Sequence, residues 1–251
     1  MQVYVIEAHP DDAALSIGGL LLNLSANDQT SAITVFTIFD GSWAKRTFGK
    51  NLVIKNVRRL ENEKALNIAN AKNICLGFLE AYDRGYRSYR RVSIPIKERD
   101  LVTKVSLSLK QMLAVGKRGL VLFPIAVGHH VDHLIAFESM IRLCRERALR
   151  AEQTRLYEDC PYVCRNKNDL NKRLGIIRQN YFQVKPLVID ITTNATLKTE
   201  MLKSYSSQFG YETIRIVKTY SSKLGKQVNK GSQLFFERIW VPNSSVEKKE
   251  A

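Results

Sequence analysis

The chain has 251 residues, 45% of them hydrophobic, so it is long enough to bury the core of one large domain. Its 39 basic residues exceed its 24 acidic ones, giving a formal net charge of +15. No apolar run reaches the roughly 18–20 residues that a membrane span requires, and the N-terminus lacks the features of a signal peptide. We therefore expect a cytoplasmic protein without a transmembrane segment.

The basic surplus and the cysteines are weak indications of partners. Positive charge attracts nucleic acid, anionic lipid or phosphorylated ligands, but here the basic residues are spread along the whole chain. Because no RNP-like or zinc-finger pattern accompanies them, we expect no specific nucleic acid partner. Four cysteines are too few for a disulfide framework, and the sequence leaves the oligomeric state open.

The first third of the chain predicts strands that alternate with helices. Gln2–Glu7 has the pattern of a buried strand, and the following segment "AALSIGGLLLNLSA" predicts a helix. Ser31–Phe39 is rich in β-branched and aromatic residues and predicts a second strand. Apolar spacing then predicts a helix over Ile54–Ala71 and a short strand at Lys72–Leu76.

The middle of the chain continues this alternation. Residues 80–92 indicate a loop, and the amphipathic segment Ile96–Val115 predicts a helix. A short buried strand at Gly119–Phe123 is followed by a predicted helix over Val131–Leu149. The alternation favours an α/β, Rossmann-like fold with a mostly parallel sheet and helices on both faces.

The pattern weakens beyond residue 150. Leu187–Ile191 and Ser232–Val241 predict strands, and Thr196–Ser207 predicts a helix. With no linker long enough to separate a second domain, we expect a single domain over residues 1–241. A polar, disordered tail is expected at residues 242–251.

Polar residues that can carry chemistry follow the first predicted strand. His9, Asp11 and Asp12 lie within four positions of one another, and a single turn can direct His9 and Asp12 at one point. In open α/β sheets, ligands bind beyond the carboxyl ends of the strands. By itself, an Asp-Asp pair after a strand is more often a helix cap or a solvated turn.

A second cluster follows the predicted strand that ends before Pro124. It contains His129, His130, Asp132 and His133, and so three of the four histidines of the chain. A lone His-x-x-His is often incidental, but a parallel sheet brings this cluster and the first one to the same edge. Two histidines and one carboxylate, with one position left for water, are typical of a catalytic zinc site.

The two clusters resemble the motifs of the PIG-L/LmbE-like family of zinc-dependent N-deacetylases. The family pattern Ala-His-Pro-Asp-Asp is matched by Ala8–Asp12, and a later His-x-Asp-His by His130–His133. Supporting matches are "RRLENEKA" at residues 58–65, "YEDCPY" at residues 157–162 and "LKSYSSQF" at residues 202–209. The resemblance covers residues 2–241 and implies an LmbE-like fold.

The resemblance also implies a role for each matched residue. Zn²⁺, or another divalent transition metal, is expected to be bound by His9, Asp12 and His133. Asp11 is expected to be the general base that takes a proton from the attacking water.

Four further residues have implied roles. A positively charged His130, oriented by Asp132, is expected to stabilise the oxyanion. Arg58 and Asp83 are candidates for substrate contacts. His129, next to His130, is a further candidate for a ligand contact.

The implied function is removal of an acetyl group from an N-acetylated amino sugar or glycoconjugate. One departure stands against it, because Ala13 occupies the position where many members of the family have Glu. The alternative is a non-catalytic sugar- or anion-binding protein on the same fold. The sequence does not identify the acetylated substrate.

Overall fold

The structure, a computed structural model, describes residues 1–30, 32–41, 50–86, 98–113, 119–228 and 234–243. In chain order the strands are β1 (Gln2–Glu7), β2 (Ala32–Gly41), β3 (Ala71–Leu79), β4 (Leu120–Pro124), β5 (Thr154–Tyr157), β6 (Val184–Asp190) and β7 (Phe236–Pro242). The α-helices are α1 (Asp12–Ser25), α2 (Lys50–Asn67), α3 (Arg99–Met112), α4 (Val131–Arg145), α5 (Tyr162–Arg165), α6 (Lys167–Asn180), α7 (Ala195–Lys203) and α8 (Tyr211–Val228).

The seven strands form one sheet in the order β3-β2-β1-β4-β5-β7-β6. The pairings from β3 to β5 are all parallel, whereas β7 runs antiparallel to both β5 and β6. The sheet is therefore mostly parallel, as the sequence predicts. Its strand order reverses between β1 and β4, and such a switch point opens a crevice at the carboxyl ends of the two strands.

Helices cover both faces of the sheet. Right-handed crossovers require α1 and α2 to lie on one face and α3, which precedes the reversed step to β4, on the other. In agreement with this, α3 packs against α4, while α7 packs against α1, α2 and α8. The fold thus places the beginnings of α1 and α4 beside each other at the switch point.

Helix α1 is divided at Ile17, whose φ of −133° and ψ of 22° are not helical. The carboxylate of Glu237 on β7 accepts hydrogen bonds from the N–H groups of Gly19 and Leu20, at 2.8 and 2.7 Å. It caps the second part of the helix as a capping side chain does at a helix start. Lys198 on α7 donates to Glu237 at 2.7 Å and to the Leu15 carbonyl at 3.0 Å.

Most predicted elements are confirmed, and several boundaries differ. The predicted strand Gln2–Glu7 matches β1, whereas the helix predicted over Ile54–Ala71 begins earlier and ends at Asn67, since Ala71 already pairs in β3. The predicted helix Val131–Leu149 ends at Arg145. The sequence interpretation missed β5, α6 and α8, and the tail from residue 244 lies outside the described residues.

Candidate metal centre

The turn after β1 is held by two reciprocal hydrogen bonds between His9 and Asp12. The N–H of His9 donates to Oδ2 of Asp12 at 2.8 Å, and the N–H of Asp12 donates to the carbonyl of His9 at 3.2 Å. Asp11, between them, has a φ of 138°, a conformation that side chains rarely adopt and that is found at functional sites. The turn thus fixes Asp12 beside His9.

The loop after β4 is equally constrained. Ala126, Gly128 and His129 all have positive φ. A Cβ atom at Gly128 would lie 2.8 Å from the ring of Tyr162, so only glycine fits against that ring. The loop ends at His130, the N-cap of α4, whose Nδ1 accepts the N–H of Asp132 at 3.2 Å.

These two segments bring His9, Asp12 and His133 together. Oδ2 of Asp12 lies 3.7 Å from Nδ1 of His9 and 3.5 Å from Nε2 of His133. Ligand atoms around a tetrahedral zinc ion with bonds of about 2.0–2.1 Å are separated by about 3.3–3.5 Å. The three side chains therefore already have the spacing that one metal ion needs.

The state of His133 fits a metal ligand. Among the described residues, its Nε2 atom is buried and has no hydrogen-bond partner. Buried polar atoms are almost always satisfied, and an orphaned one indicates a missing ion or water. Two imidazole nitrogens and a carboxylate oxygen are also a donor set that zinc accepts, so these residues fit a divalent transition metal.

Each of the two histidines is oriented by a carboxylate on its other ring nitrogen. Nδ1 of His133 lies 2.6 Å from Oδ1 of Asp159, and Nε2 of His9 lies 2.9 Å from Oδ2 of Asp132. Metal-binding histidines are commonly held this way, which fixes the tautomer and leaves the opposite nitrogen for the metal. Asp159 also accepts the N–H of Val127 at 2.9 Å and so ties the β4 loop to α4.

The placement of Asp132 differs from the expectation that it orients His130. Its carboxylate contacts His9, accepts the N–H of Ala81 at 3.0 Å and accepts Nη1 of Arg84 at 2.8 Å. The backbone N–H of Asp132 donates to Nδ1 of His130. The first turn of α4 forces this arrangement, because Asp132 there points towards β1 and the turn after β3.

The charge state expected for His130 is also corrected. Burial lowers the pKa of His130 far below its usual value, and the neighbouring His9 lowers it further. Since its Nδ1 accepts a backbone N–H, the neutral ring carries its proton on Nε2. In the metal-free protein, His130 is therefore a neutral ring rather than an imidazolium.

The other site histidines hold protons tightly in the metal-free protein. Burial alone would lower the pKa of His9, but its hydrogen bond to Asp132 raises it above the usual value. Burial opposes protonation of His133 as well, yet the charge of Asp12 and the bond to Asp159 raise its pKa to about 9. Metal binding must displace such protons.

Asp11 and Arg58 interact electrostatically beside the centre. Burial and the charge of Asp12 raise the pKa of Asp11 well above its usual value, while the guanidinium of Arg58 opposes this rise. Arg58 also forms an ion pair with Glu80 in the turn after β3. Asp83, the second predicted substrate contact, lies on the same turn, where partial burial and then Glu80 raise its pKa.

A second group of side chains, His9, His130 and Asp132, also has ligand atoms within 4.8 Å of one another. This group fits a metal less well than the first. Its Asp132 carboxylate is already bonded to Arg84, whose positive charge repels a cation. It is nevertheless the alternative metal position that an experiment must distinguish from the group of His9, Asp12 and His133.

Sequence reasoning left two important residues unassigned. Asp159 has no role in the sequence analysis, although it lies within the matched segment "YEDCPY". Arg84 was passed over in favour of its neighbour Asp83, and no spacing rule reveals which of two adjacent loop residues points inwards. Glu158 proves to bond elsewhere, to Trp240 and Arg238.

A buried polar network supports the turn from beneath. Glu7 is fully buried and accepts hydrogen bonds from the N–H of Ala13, the hydroxyl of Thr37 and the amide of Asn62. Burial and then the charge of Asp12 raise the pKa of Glu7 to about 7. Ala13 itself is fully buried where many family members have Glu.

Within the described ranges, no helix is both long enough and apolar enough to cross a membrane.

The chain is 25% identical over 255 residues to a 2'-N-acetylparomamine deacetylase of Streptomyces fradiae, covering 95% of this chain and 88% of that protein.

Among solved structures, it resembles an A40926 pseudoaglycone deacetylase, with a TM-score of 0.72, 22% identity and 98% of each chain covered. It also resembles the zinc-inhibited form of a teicoplanin deacetylase, with a TM-score of 0.72, 20% identity and coverage of 98% and 100%. The PIG-L family, described as GlcNAc-PI de-N-acetylase, matches residues 4–144, which is more than half of the chain. The chain belongs to the PIG-L family.

Proposed function

We propose that this protein is a metal-dependent hydrolase that removes the acetyl group from an N-acetylated amino sugar or glycoconjugate. The observation that carries the proposal is the convergence of His9, Asp12 and His133 around an unsatisfied, buried imidazole nitrogen. Membership in the PIG-L family and the acetylated sugar named for the relative from Streptomyces fradiae support the substrate class.

The metal would be held by Nδ1 of His9, a carboxylate oxygen of Asp12 and Nε2 of His133. When bound, it polarises an amide carbonyl and lowers the pKa of a coordinated water towards neutrality. We propose zinc, because the donor set is two imidazoles and one carboxylate.

Asp11 would act as the general base. It lies between His9 and Asp12 in the turn after β1 and is not among the three converging side chains. It would take a proton from the attacking water and give it to the leaving nitrogen. The nitrogen must be protonated because a deprotonated amine is a poor leaving group.

His130 would stabilise the negative charge that develops on the carbonyl oxygen. As a neutral ring with its proton on Nε2, it donates a hydrogen bond without first having to be protonated. Its ring centroid lies 4.9 Å from that of His9, so the donor belongs to the same small volume.

Arg58 and Asp83 remain proposed substrate contacts. Arg58 forms an ion pair with Glu80, and Asp83 lies on the turn that follows Glu80. Hydroxyl groups of a sugar can bond to the carboxylates of Glu80 and Asp83, whereas a phosphate would have to displace Glu80 from Arg58.

We also propose that residues 1–241 act as one domain in the cytoplasm.

The test is acetate release from a panel of acetamido compounds by protein loaded with zinc, cobalt or nickel. The panel should contain an N-acetylated aminoglycoside, an N-acylated glycopeptide, diacetylchitobiose and N-acetylglucosamine. We expect release from at least one class, lost in Asp11→Asn. Saturable binding without release, unaffected by metal removal, would instead support the non-catalytic sugar- or anion-binding alternative.

A further inference from the structure

Arg84 connects three parts of the molecule that meet beside the metal centre. Its Nη1 donates to Oδ1 of Asp132 at 2.8 Å and to the carbonyl of Leu79 at 2.6 Å. Its Nε and Nη2 form a two-point contact with Glu98, at 2.9 and 3.0 Å. The guanidinium thus joins the end of β3, the start of α3 and the first turn of α4.

The guanidinium is also fixed in space by aromatic rings. Its central carbon lies 5.2 Å from the ring centre of Phe39 on β2 and 5.5 Å from that of Tyr86. Only 11% of the Arg84 side chain is exposed. Such a planar, multiply bonded guanidinium cannot be replaced in full by the point charge of a lysine.

The partner that matters is Asp132, because Asp132 orients His9. The two oxygens of this fully buried carboxylate divide their work, with Oδ1 on Arg84 and Oδ2 on the N–H of Ala81 and Nε2 of His9. Without Arg84, the carboxylate keeps only its bonds to Ala81 and His9 and is held less firmly about its terminal bond. The ring of His9, which this contact orients with Nδ1 towards Asp12, is then also held less firmly.

We propose that Arg84 is a positioning residue for the metal centre, acting through Asp132 on the orientation of His9. This inference rests on the proposed function for its effect on turnover, but its effect on the ring of His9 is independent of any reaction. Arg84 itself does not reach the metal ligands Asp12 and His133, so it is not a catalytic residue.

The test compares Arg84→Met and Arg84→Lys with the wild type and with Arg142→Met. Arg142 is a suitable control because it lies on α4, like Asp132, and pairs with Glu146 away from the site. The first readout is the ring N–H signal of His9 in zinc-loaded, ¹⁵N-histidine-labelled protein. The chain has four histidines, so few signals need to be assigned.

In the wild type, the hydrogen bond to Asp132 should protect the Nε2 proton of His9 from exchange with water. We expect this signal to be lost in Arg84→Met, partly retained in Arg84→Lys and unchanged in Arg142→Met. The second readout is turnover, where kcat should fall about 10–100-fold in Arg84→Met, as for other outer partners of metal ligands, while KM changes less than threefold.

A retained His9 signal together with a kcat within twofold of wild type in Arg84→Met would overturn the inference. Should Arg84→Met fail to fold, Glu98→Gln weakens the hold on Arg84 without touching Asp132 and should shift the same signal. Absence of acetate release by the wild type, with the His9 signal still lost in Arg84→Met, would reject the proposed function and leave the positioning role standing.

Discussion

Two buried polar clusters of this protein differ in how their charges are balanced. The first, here called the β7 cluster, consists of Glu158, Lys198, Glu237 and Arg238. There Glu158 pairs with Arg238 at 2.6 Å, and Glu237 pairs with Lys198 at 2.7 Å. Each carboxylate therefore has its own cation, and the cluster needs no ligand to be stable.

The metal centre is not balanced in this way. Asp12, Asp132 and Asp159 are buried around His9 and His133, which hold protons tightly in the metal-free protein, and Arg84 is bonded to only one of these carboxylates. Two of the balancing charges are therefore protons on imidazoles, which a metal ion can displace, and Nε2 of His133 has no hydrogen-bond partner among the described residues. The comparison shows that a structural cluster differs from a binding site in whether every buried polar group has a permanent partner. Burial and composition distinguish the two less clearly.

The largest effect should come from Asp11→Asn, which removes the proposed base while keeping the shape of the side chain. We expect kcat to fall by about 10³-fold, within the range that general base catalysis contributes. Metal content should stay at the wild-type level, because Asp11 is not among the three converging ligands. Turnover that is preserved in the metal-loaded variant would remove Asp11 from the mechanism.

In the balanced β7 cluster, a substitution should reduce the stability of the protein and leave the metal site unchanged. Glu237→Gln leaves Lys198 buried without its partner and weakens the cap on Gly19 and Leu20. We expect the free energy of unfolding, measured with denaturant, to drop by about 3–5 kcal/mol. Metal affinity should be unchanged, and a variant that loses metal as well as stability would mean that the two clusters are not separate.

Glu7 is the intermediate case, a buried acid whose hydrogen-bond partners Ala13, Thr37 and Asn62 are all uncharged. Its pKa rises from 4.5 to about 7 on folding. The folded state therefore binds the proton more tightly, so this stability is complete below pH 4.5 and is lost as the pH rises through 7. The loss amounts to about 3 kcal/mol.

The measurement is denaturant unfolding of metal-free wild type and Glu7→Gln between pH 4.5 and 8. The variant cannot ionise at this position, so the stability advantage of the wild type should shrink steadily as the pH rises. A difference that does not change with pH would show that Glu7 does not titrate in this range.

The smallest effect should be that of Asp159→Asn, which keeps the contacts of the β4 loop but weakens the hold on Nδ1 of His133. Metal affinity, measured by competition with a chromogenic chelator, should fall about 10–100-fold. Asp28→Asn, at an exposed position, is the matched control. Equal affinities in the two variants would show that Asp159 does not support the ligand.

The sequence was sufficient for the parts that depend on local pattern. Alternating apolar runs predicted the parallel part of the sheet. In this sheet β1 and β4 are neighbours, which explains why the clusters that follow them meet. Helix α8 was missed although Ile214, Val217, Tyr220 and Leu224 mark an apolar face at helical spacing. Strand β5 has only four residues and is defined by its pairing with β4 and β7 rather than by its own pattern.

The connections within the site could not be predicted in the same way. Whether the Asp132 carboxylate turns to His130 or to His9 depends on where the turn after β3 places Ala81 and Arg84. That position is set by tertiary packing over about fifty residues of chain separation, which no spacing in the sequence encodes. The neutral state of His130 likewise follows from its burial between the other two imidazoles.

The most direct test of the account is the position of the metal itself. Crystals of zinc-loaded protein should be measured at the zinc absorption edge and an anomalous difference map calculated. We predict one strong peak about 2.0–2.2 Å from Nδ1 of His9, a carboxylate oxygen of Asp12 and Nε2 of His133. A peak among His9, His130 and Asp132 instead, or none at this edge of the sheet, would contradict it.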